Sequence, residues 1–179
     1  MDILNSERLI LRAWKESDSS DLYEYAKSDL VGPNAGWKPH KSEEESKEII
    51  KMFIANNIYA IVLKSENKVI GGIGLHNRKP DEKNYDLEQR EIGYVLNPLY
   101  WGNGYVPEAV NCLINYAFNE LDLDLIWCGH FDFNNNSKRV IEKCGFNYKF
   151  TKDEKLKLLD NKEVKTLYYN ILKSDYINK

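Results

Sequence analysis

Residues 91–131 constrain the fold more than any other stretch of this chain. Glu91-Ile92-Gly93-Tyr94-Val95-Leu96 reads as a strand, and Pro98 ends it because proline cannot donate to a sheet ladder. Two glycines one residue apart, Gly102 and Gly104, then lead into Val106, Ala109, Val110, Leu113, Ile114, Ala117, Phe118 and Leu121. That i, i+3, i+4, i+7 spacing is the apolar face of an amphipathic helix, predicted over 104–121. Leu125 to Phe131 is a second apolar strand. Strand, helix and strand in that order imply a parallel pair joined by a right-handed crossover.

The flanking segments add antiparallel strands. Tyr59–Leu63 and Val69–Leu75 are apolar runs separated by Lys64-Ser65-Glu66-Asn67-Lys68, which predicts a hairpin. Glu7 to Trp14 alternates as a strand, and Lys15 to Asp18 supplies turn and cap residues for a short helix carrying Leu22, Tyr25 and Ala26. Gly32-Pro33-Asn34-Ala35-Gly36 reads as loop. Ser42-Glu43-Glu44-Glu45 reads as a capping box opening a helix that turns Ile49, Ile50, Met52 and Phe53 to the core. Arg78 to Asp86 reads as an exposed loop. Asn134 to Ser137 caps a helix bearing Val140, Ile141 and Cys144 on one side, with Gly145 as its left-handed stop. Phe146–Phe150 and Val164–Leu172 close the sheet around a turn near Asp160-Asn161. The expected class is α/β (α+β), with a mixed sheet.

Composition excludes several functions. The chain has 179 residues, a length that fits one domain over 1–179. Lys+Arg 25 against Asp+Glu 28 leaves a formal charge of -3, without the basic excess that nucleic-acid binding leaves in a sequence. No apolar run approaches the ~20 residues of a membrane span, and Met1-Asp2-Ile3-Leu4-Asn5 is not a signal peptide. Cys112, Cys128 and Cys144 are odd in number and widely spaced, which fits a reducing cytoplasmic compartment and no zinc site. His40, His76 and His130 are equally scattered, so no metal is expected.

The chemistry concentrates between Asn97 and Ala109. A strand end, two glycines and a strong helix start place free backbone N–H groups at a helix N-terminus, an arrangement suited to phosphate. Glycines let the backbone approach an anion closely, and Pro107 sits in the first helical turn, where its missing N–H is harmless. An ordinary tight strand-to-helix turn has the same spacing. A dinucleotide fingerprint would need Gly or Ala where Pro107 stands, and a P-loop would need Gly-Lys-Ser/Thr; both are excluded.

Taken together, five segments resemble the GCN5-related N-acetyltransferase (GNAT) superfamily, in its RimJ/RimL-like branch. They are Glu7-Arg8-Leu9-Ile10-Leu11-Arg12, Ile70-Gly71-Gly72-Ile73-Gly74, Glu91-Ile92-Gly93-Tyr94, Tyr100-Trp101-Gly102-Asn103-Gly104-Tyr105 with Glu108-Ala109, and Asn134-x-x-Ser137-x-Arg139-Val140-x-Glu142-Lys143-x-Gly145-Phe146. The resemblance implies the GNAT fold, a mostly antiparallel sheet whose central parallel strands splay apart. It implies an acetyl-CoA-dependent transfer of acetyl to a primary amine by direct attack, without an acyl-enzyme. The branch points to a protein N-terminal α-amino group; the same fold also acetylates polyamines, amino acids and aminoglycosides, and a non-catalytic CoA-binding module is a further reading. Relatives of this branch are often homodimers.

By the same resemblance, Trp101, Gly102, Asn103, Gly104, Tyr105 and Val106 cradle the pyrophosphate of acetyl-CoA. Val95 and Leu96 bond its pantetheine arm, and Asn134 contacts that arm. The family often opens the loop with Gln or Arg where this chain has Leu99, so anion binding rests on backbone amides. Glu91 is the candidate base, acting directly or through water; the alternative is an exposed strand glutamate paired with Arg90 or a lysine. The family's common tyrosine acid is replaced by Ile141. Ser137 is the remaining candidate on the sulfur, with helix N-capping as its alternative role. Cys128 and His130 share a strand face, and Cys128 is expected to be a small core residue. The acceptor walls are expected from 28–40, 78–88 and 150–165.

Overall fold

The computed structural model of the chain describes residues 1–81 and 86–177. Eight strands form one sheet: β1 (Leu4–Asn5), β2 (Leu9–Ala13), β3 (Tyr59–Leu63), β4 (Lys68–His76), β5 (Gln89–Leu96), β6 (Leu125–Phe131), β7 (Asn147–Leu156) and β8 (Lys162–Leu172). Their order across the sheet is β1-β2-β3-β4-β5-β6-β8-β7. Every neighbouring pair is antiparallel except β5 and β6, which run parallel. The mixed sheet with its central parallel pair is therefore the architecture expected from residues 91–131.

The helices are α1 (Ser19–Ala26), α2 (Gly32–Ala35), α3 (Glu43–Ala55), α4 (Tyr105–Asn119), α5 (Asn135–Lys143) and α6 (Lys173–Ile177). Alternation along β3 shows how they sandwich the sheet. Tyr59, Ile61 and Leu63 pack into the cluster built on α4, whereas Ala60 and Val62 pack with Leu22, Tyr25 and Ala26 of α1 and Ile50 of α3. All five β3 residues are buried because both faces are covered. On α4 the predicted stripe from Val106 to Phe118 is buried throughout. Leu113 has no exposed surface, so Leu113→Ala is expected to lower unfolding stability by about 2–5 kcal/mol, measured as a reduced urea midpoint.

Several details differ from the sequence expectations. Gly32–Ala35 is a short helix, because Pro33 fits a first turn and Gly36 ends it at φ 90°. Met52 and Leu121 face solvent, at 53% and 45% exposure: the apolar stripe of α3 is narrower than four residues, and Leu121 lies beyond the last turn of α4. Ser42 caps α3 through Glu45 N–H, but the Glu45 carboxylate accepts from Lys41 N–H rather than closing the box on Ser42. The β7–β8 hairpin extends well past Phe150, with Asp160 and Asn161 both at positive φ in its turn. Of the stretch 78–86, residues 82–85 lie outside the described residues.

Candidate active site

The sheet opens at its parallel pair. Pairing runs from Gln89–Leu125 to Ile92–Cys128 and ends there, so β5 and β6 part beyond Gly93 and Gly129. A cleft of about 1290 Å³ lies at this opening. Just past β5, Asn97 N–H donates to the Ile70 carbonyl at 2.8 Å, in phase with the Gly72–Val95 and Gly74–Gly93 pairs. Alternate residues of an antiparallel ladder turn their backbone groups the same way. Gly93 and Val95 therefore spend theirs on β4, and Tyr94 and Leu96 turn theirs to the opened side. The Leu96 carbonyl is already taken by the Trp101 indole N–H at 2.9 Å, which leaves the Leu96 N–H. Val95 contributes its side chain to the cleft wall.

The glycine loop follows directly. Asn97 accepts from Leu99 N–H at 3.0 Å, and Pro98–Tyr100 makes a single 3-10 turn. Gly102 and Gly104 then adopt φ 81° and 79°, with Gly104 as the N-cap of α4. A side chain is strained at such φ values. A Cβ at Gly102 would meet no atom within 4 Å, so the space before the loop is open. This is a cradle with room for an anion, which fits a CoA pyrophosphate held by backbone amides. Leu99 is 78% exposed and does not line the cleft.

A clamp missed from the sequence holds this loop. Glu108 on α4 accepts from Ser6 Oγ, from Arg8 N–H and from Arg8 Nε–H, each at 2.7 Å. Arg8 Nη1 donates to the Asn103 carbonyl at 3.0 Å, and its guanidinium lies 4.5 Å from the Tyr105 ring centre. Burial pushes Glu108 upward, but these donors prevail and hold its carboxylate below the usual range. Arg8→Ala is expected to raise KM for acetyl-CoA about tenfold with a smaller change in kcat, because it releases the loop and removes the cation that pairs with Glu108. Steady-state kinetics on both substrates checks this.

Of the residues assigned from sequence, Glu91, Val95, Leu96, Trp101, Gly102, Gly104, Tyr105, Val106, Asn134 and Ser137 converge on the cleft. Asn103 does not: its side chain turns back onto the Tyr100 and Trp101 carbonyls. Helix α5 is capped by Asn134, which accepts from Ser137 N–H at 3.1 Å. N-capping therefore falls to Asn134, and the Ser137 hydroxyl meets the Tyr94 hydroxyl at 2.8 Å. Asn134 Nδ2 also donates to the Asn34 carbonyl at 3.2 Å, joining α5 to α2.

Glu91 is 9% exposed, so it is not a solvated strand residue. Among the described residues, its Oε2 is buried without a hydrogen-bond partner. Arg78, not Arg90, is its cation, at 3.9 Å, close enough to attract but too long to bond. Burial pushes the Glu91 carboxyl above its usual range; Arg78 opposes this and the Glu154 carboxylate adds to it. Glu154 lies on β7, fixed by Thr166 Oγ1 at 2.6 Å and Tyr168 OH at 3.0 Å. Nothing local in the sequence marked it, since only the pairing of β7 with β8 brings it to the cleft. Trp37, His40, Arg78 and Leu156 also line this side, from the three segments expected to form the acceptor wall.

A cysteine nucleophile has no support. Burial pushes the Cys128 thiol well up, and His130 Nε2 sits 3.2 Å from the Tyr169 hydroxyl. Among the described residues, no group of three or more His, Cys, Asp or Glu could hold a metal ion, and no helix is long and apolar enough to cross a membrane.

Comparison with known proteins identifies the family and the fold. Residues 8–147 match the acetyltransferase (GNAT) domain. An uncharacterized N-acetyltransferase, YoaA of Bacillus subtilis, is 29% identical over 150 residues, 80% of this chain and 82% of that protein. The spermidine N(1)-acetyltransferase of Vibrio cholerae is 25% identical, covering 98% of this chain and 99% of that one. A crystal structure of a GNAT-family acetyltransferase from Bacillus anthracis superposes with a TM-score of 0.84 at 25% identity, covering 97% of this chain and 99% of that one.

Proposed function

This chain belongs to the GNAT acetyltransferase family and is an N-acetyltransferase; on that premise we propose that it transfers acetyl from acetyl-CoA directly to a cationic primary amine, with Glu91 as the base. The observation that carries this reading is the buried, unbonded Glu91 carboxylate oxygen at the mouth of the parted strands. Acetyl-CoA supplies the thioester, and the chain supplies everything that positions and deprotonates. The loop from Trp101 to Val106 holds the pyrophosphate with backbone N–H groups, and Asn134 lies beside the arm. Glu91 takes the proton that the acceptor must lose before its nitrogen can attack. The nitrogen–carbon bond forms as the carbon–sulfur bond breaks, and the sulfur leaves with that electron pair. Leu96 N–H donates to the carbonyl oxygen as charge builds on it, and Ser137 O–H donates to the departing sulfur.

The RimJ/RimL-like pattern favours a peptide N-terminal α-amino group as acceptor. Its pKa of about 8, against about 10.4 for lysine, asks less of the base. A polyamine is the second reading. The full-length similarity to a spermidine acetyltransferase supports it, as does the pair of cleft carboxylates, Glu91 and Glu154. Thiol release from acetyl-CoA, followed with a panel of N-terminal peptides, polyamines and amino acids, tests both. Release with one class identifies the acceptor. No release with any amine, despite acetyl-CoA binding, would overturn the catalytic reading.

A further inference from the structure

Tyr94 occupies a position that no role above uses. It stands on β5 two residues past Ile92, the last residue paired with β6, and its ring packs on the sheet face that carries the α4 cluster. Its hydroxyl reaches Ser137 in the first turn of α5, 2.8 Å from Oγ and 3.3 Å from the carbonyl oxygen. Among the described residues, Tyr94 is the only hydrogen-bond partner given to the Ser137 hydroxyl. Both residues line the cleft.

We propose that Tyr94 is a positioning residue for the leaving group: its hydroxyl donates to Ser137 Oγ and so aims the Ser137 proton at the coenzyme sulfur. This rests on the reading of Ser137 given above. A serine hydroxyl has one proton and two lone pairs. While Tyr94 fills one lone pair, that proton is free to point into the cleft. The pair donates a hydrogen bond and keeps both protons. Burial holds the Tyr94 phenol well above its ordinary value, whereas a thiol titrates near 8.5, so passing the proton along the chain to sulfur would run uphill. The partly buried tyrosine thus makes up for Ile141, which stands where the family's common tyrosine acid is missing, by polarising a neighbour rather than by titrating.

Tyr94→Phe keeps the ring and removes only the hydroxyl. The first measurement is the ionisation of CoA thiol bound to the enzyme, followed by thiolate absorbance, which needs no turnover. A hydrogen bond to the thiolate lowers its pKa, so the bound thiol is expected to titrate about one unit higher in the variant. The second is kcat, expected to fall about tenfold with KM for acetyl-CoA nearly unchanged. The same substitution in a Ser137→Ala background is expected to change neither quantity further. An unshifted thiol titration, or an equal loss in both backgrounds, would overturn the role of Tyr94 while leaving Ser137 in place. A Ser137→Ala variant with unaltered thiol titration and kcat would remove Ser137 from the sulfur, and Tyr94 with it. Matching thermal midpoints confirm that the variants are folded.

Discussion

Gly104→Val is expected to weaken acetyl-CoA binding by about a hundredfold or more while leaving the fold intact. Gly104 holds φ 79° as the N-cap of α4, a conformation that costs a β-branched residue on the order of 1–3 kcal/mol. The loop can relieve that strain only by turning its peptide planes, and those planes carry the N–H groups proposed to hold the pyrophosphate. Each charge-assisted hydrogen bond lost is worth roughly 1.5–3 kcal/mol, and about 1.4 kcal/mol is a factor of ten in affinity. Strain and misdirected donors therefore act together. Gly102→Ala separates the two effects. Its Cβ would enter open space, so only the left-handed backbone is penalised, and a loss of about three- to tenfold is expected. Calorimetric titration with CoA reads both. Unchanged affinity in Gly104→Val would remove the loop from the pyrophosphate.

Local pattern announced the loop: two glycines bracketing one residue, directly before an eight-residue apolar stripe, admit few conformations. The same held for the strands around it, whose periodicity is set by burial on one or both faces. Contacts made across the sheet left no local mark. Arg8 and Glu108 are a hundred residues apart, and each alone is an ordinary surface charge. Their clamp appears only when β2 and α4 pack together. Glu154 likewise reaches the cleft through pairing with β8, and Tyr94 meets Ser137 only once the first turn of α5 lies over β5. Capping shows the limit within a single turn. Asn134 and Ser137 both have side chains able to cap α5, and the backbone direction entering the helix selected Asn134. That choice freed the serine hydroxyl for other work.

Glu91→Gln is expected to lower kcat by about 10²–10⁴-fold without unfolding the protein. The carboxylate works as a base only when ionised, and burial raises its pKa above the usual range. Activity in the wild type should accordingly fall on acidification through a limb displaced upward from the ordinary value of about 4.3. In the variant that limb should vanish, leaving a rate that tracks the neutral fraction of the acceptor amine. Neighbouring charges fix the sign of further shifts. Arg78 lowers the pKa and Glu154 raises it, so Arg78→Gln should move the limb up and Glu154→Gln should move it down. Among the described residues, His76 on β4, Cys128 on β6 and Tyr168 on β8 also face Glu91; burial raises the Cys128 thiol and the Tyr168 phenol, which stay neutral here, and lowers the His76 imidazole. Stability changes in the opposite sense to activity. Because the folded-state pKa exceeds the unfolded one, ionised Glu91 costs stability at pH values above the unfolded pKa. The cost is complete above the folded pKa and disappears in acid. Glu91→Gln should thus melt at or above the wild-type temperature near neutral pH, with the difference vanishing as pH falls. Full activity in the variant across pH 6–9 would exclude Glu91 as the base, and a lowered melting temperature would show that its carboxylate serves the fold.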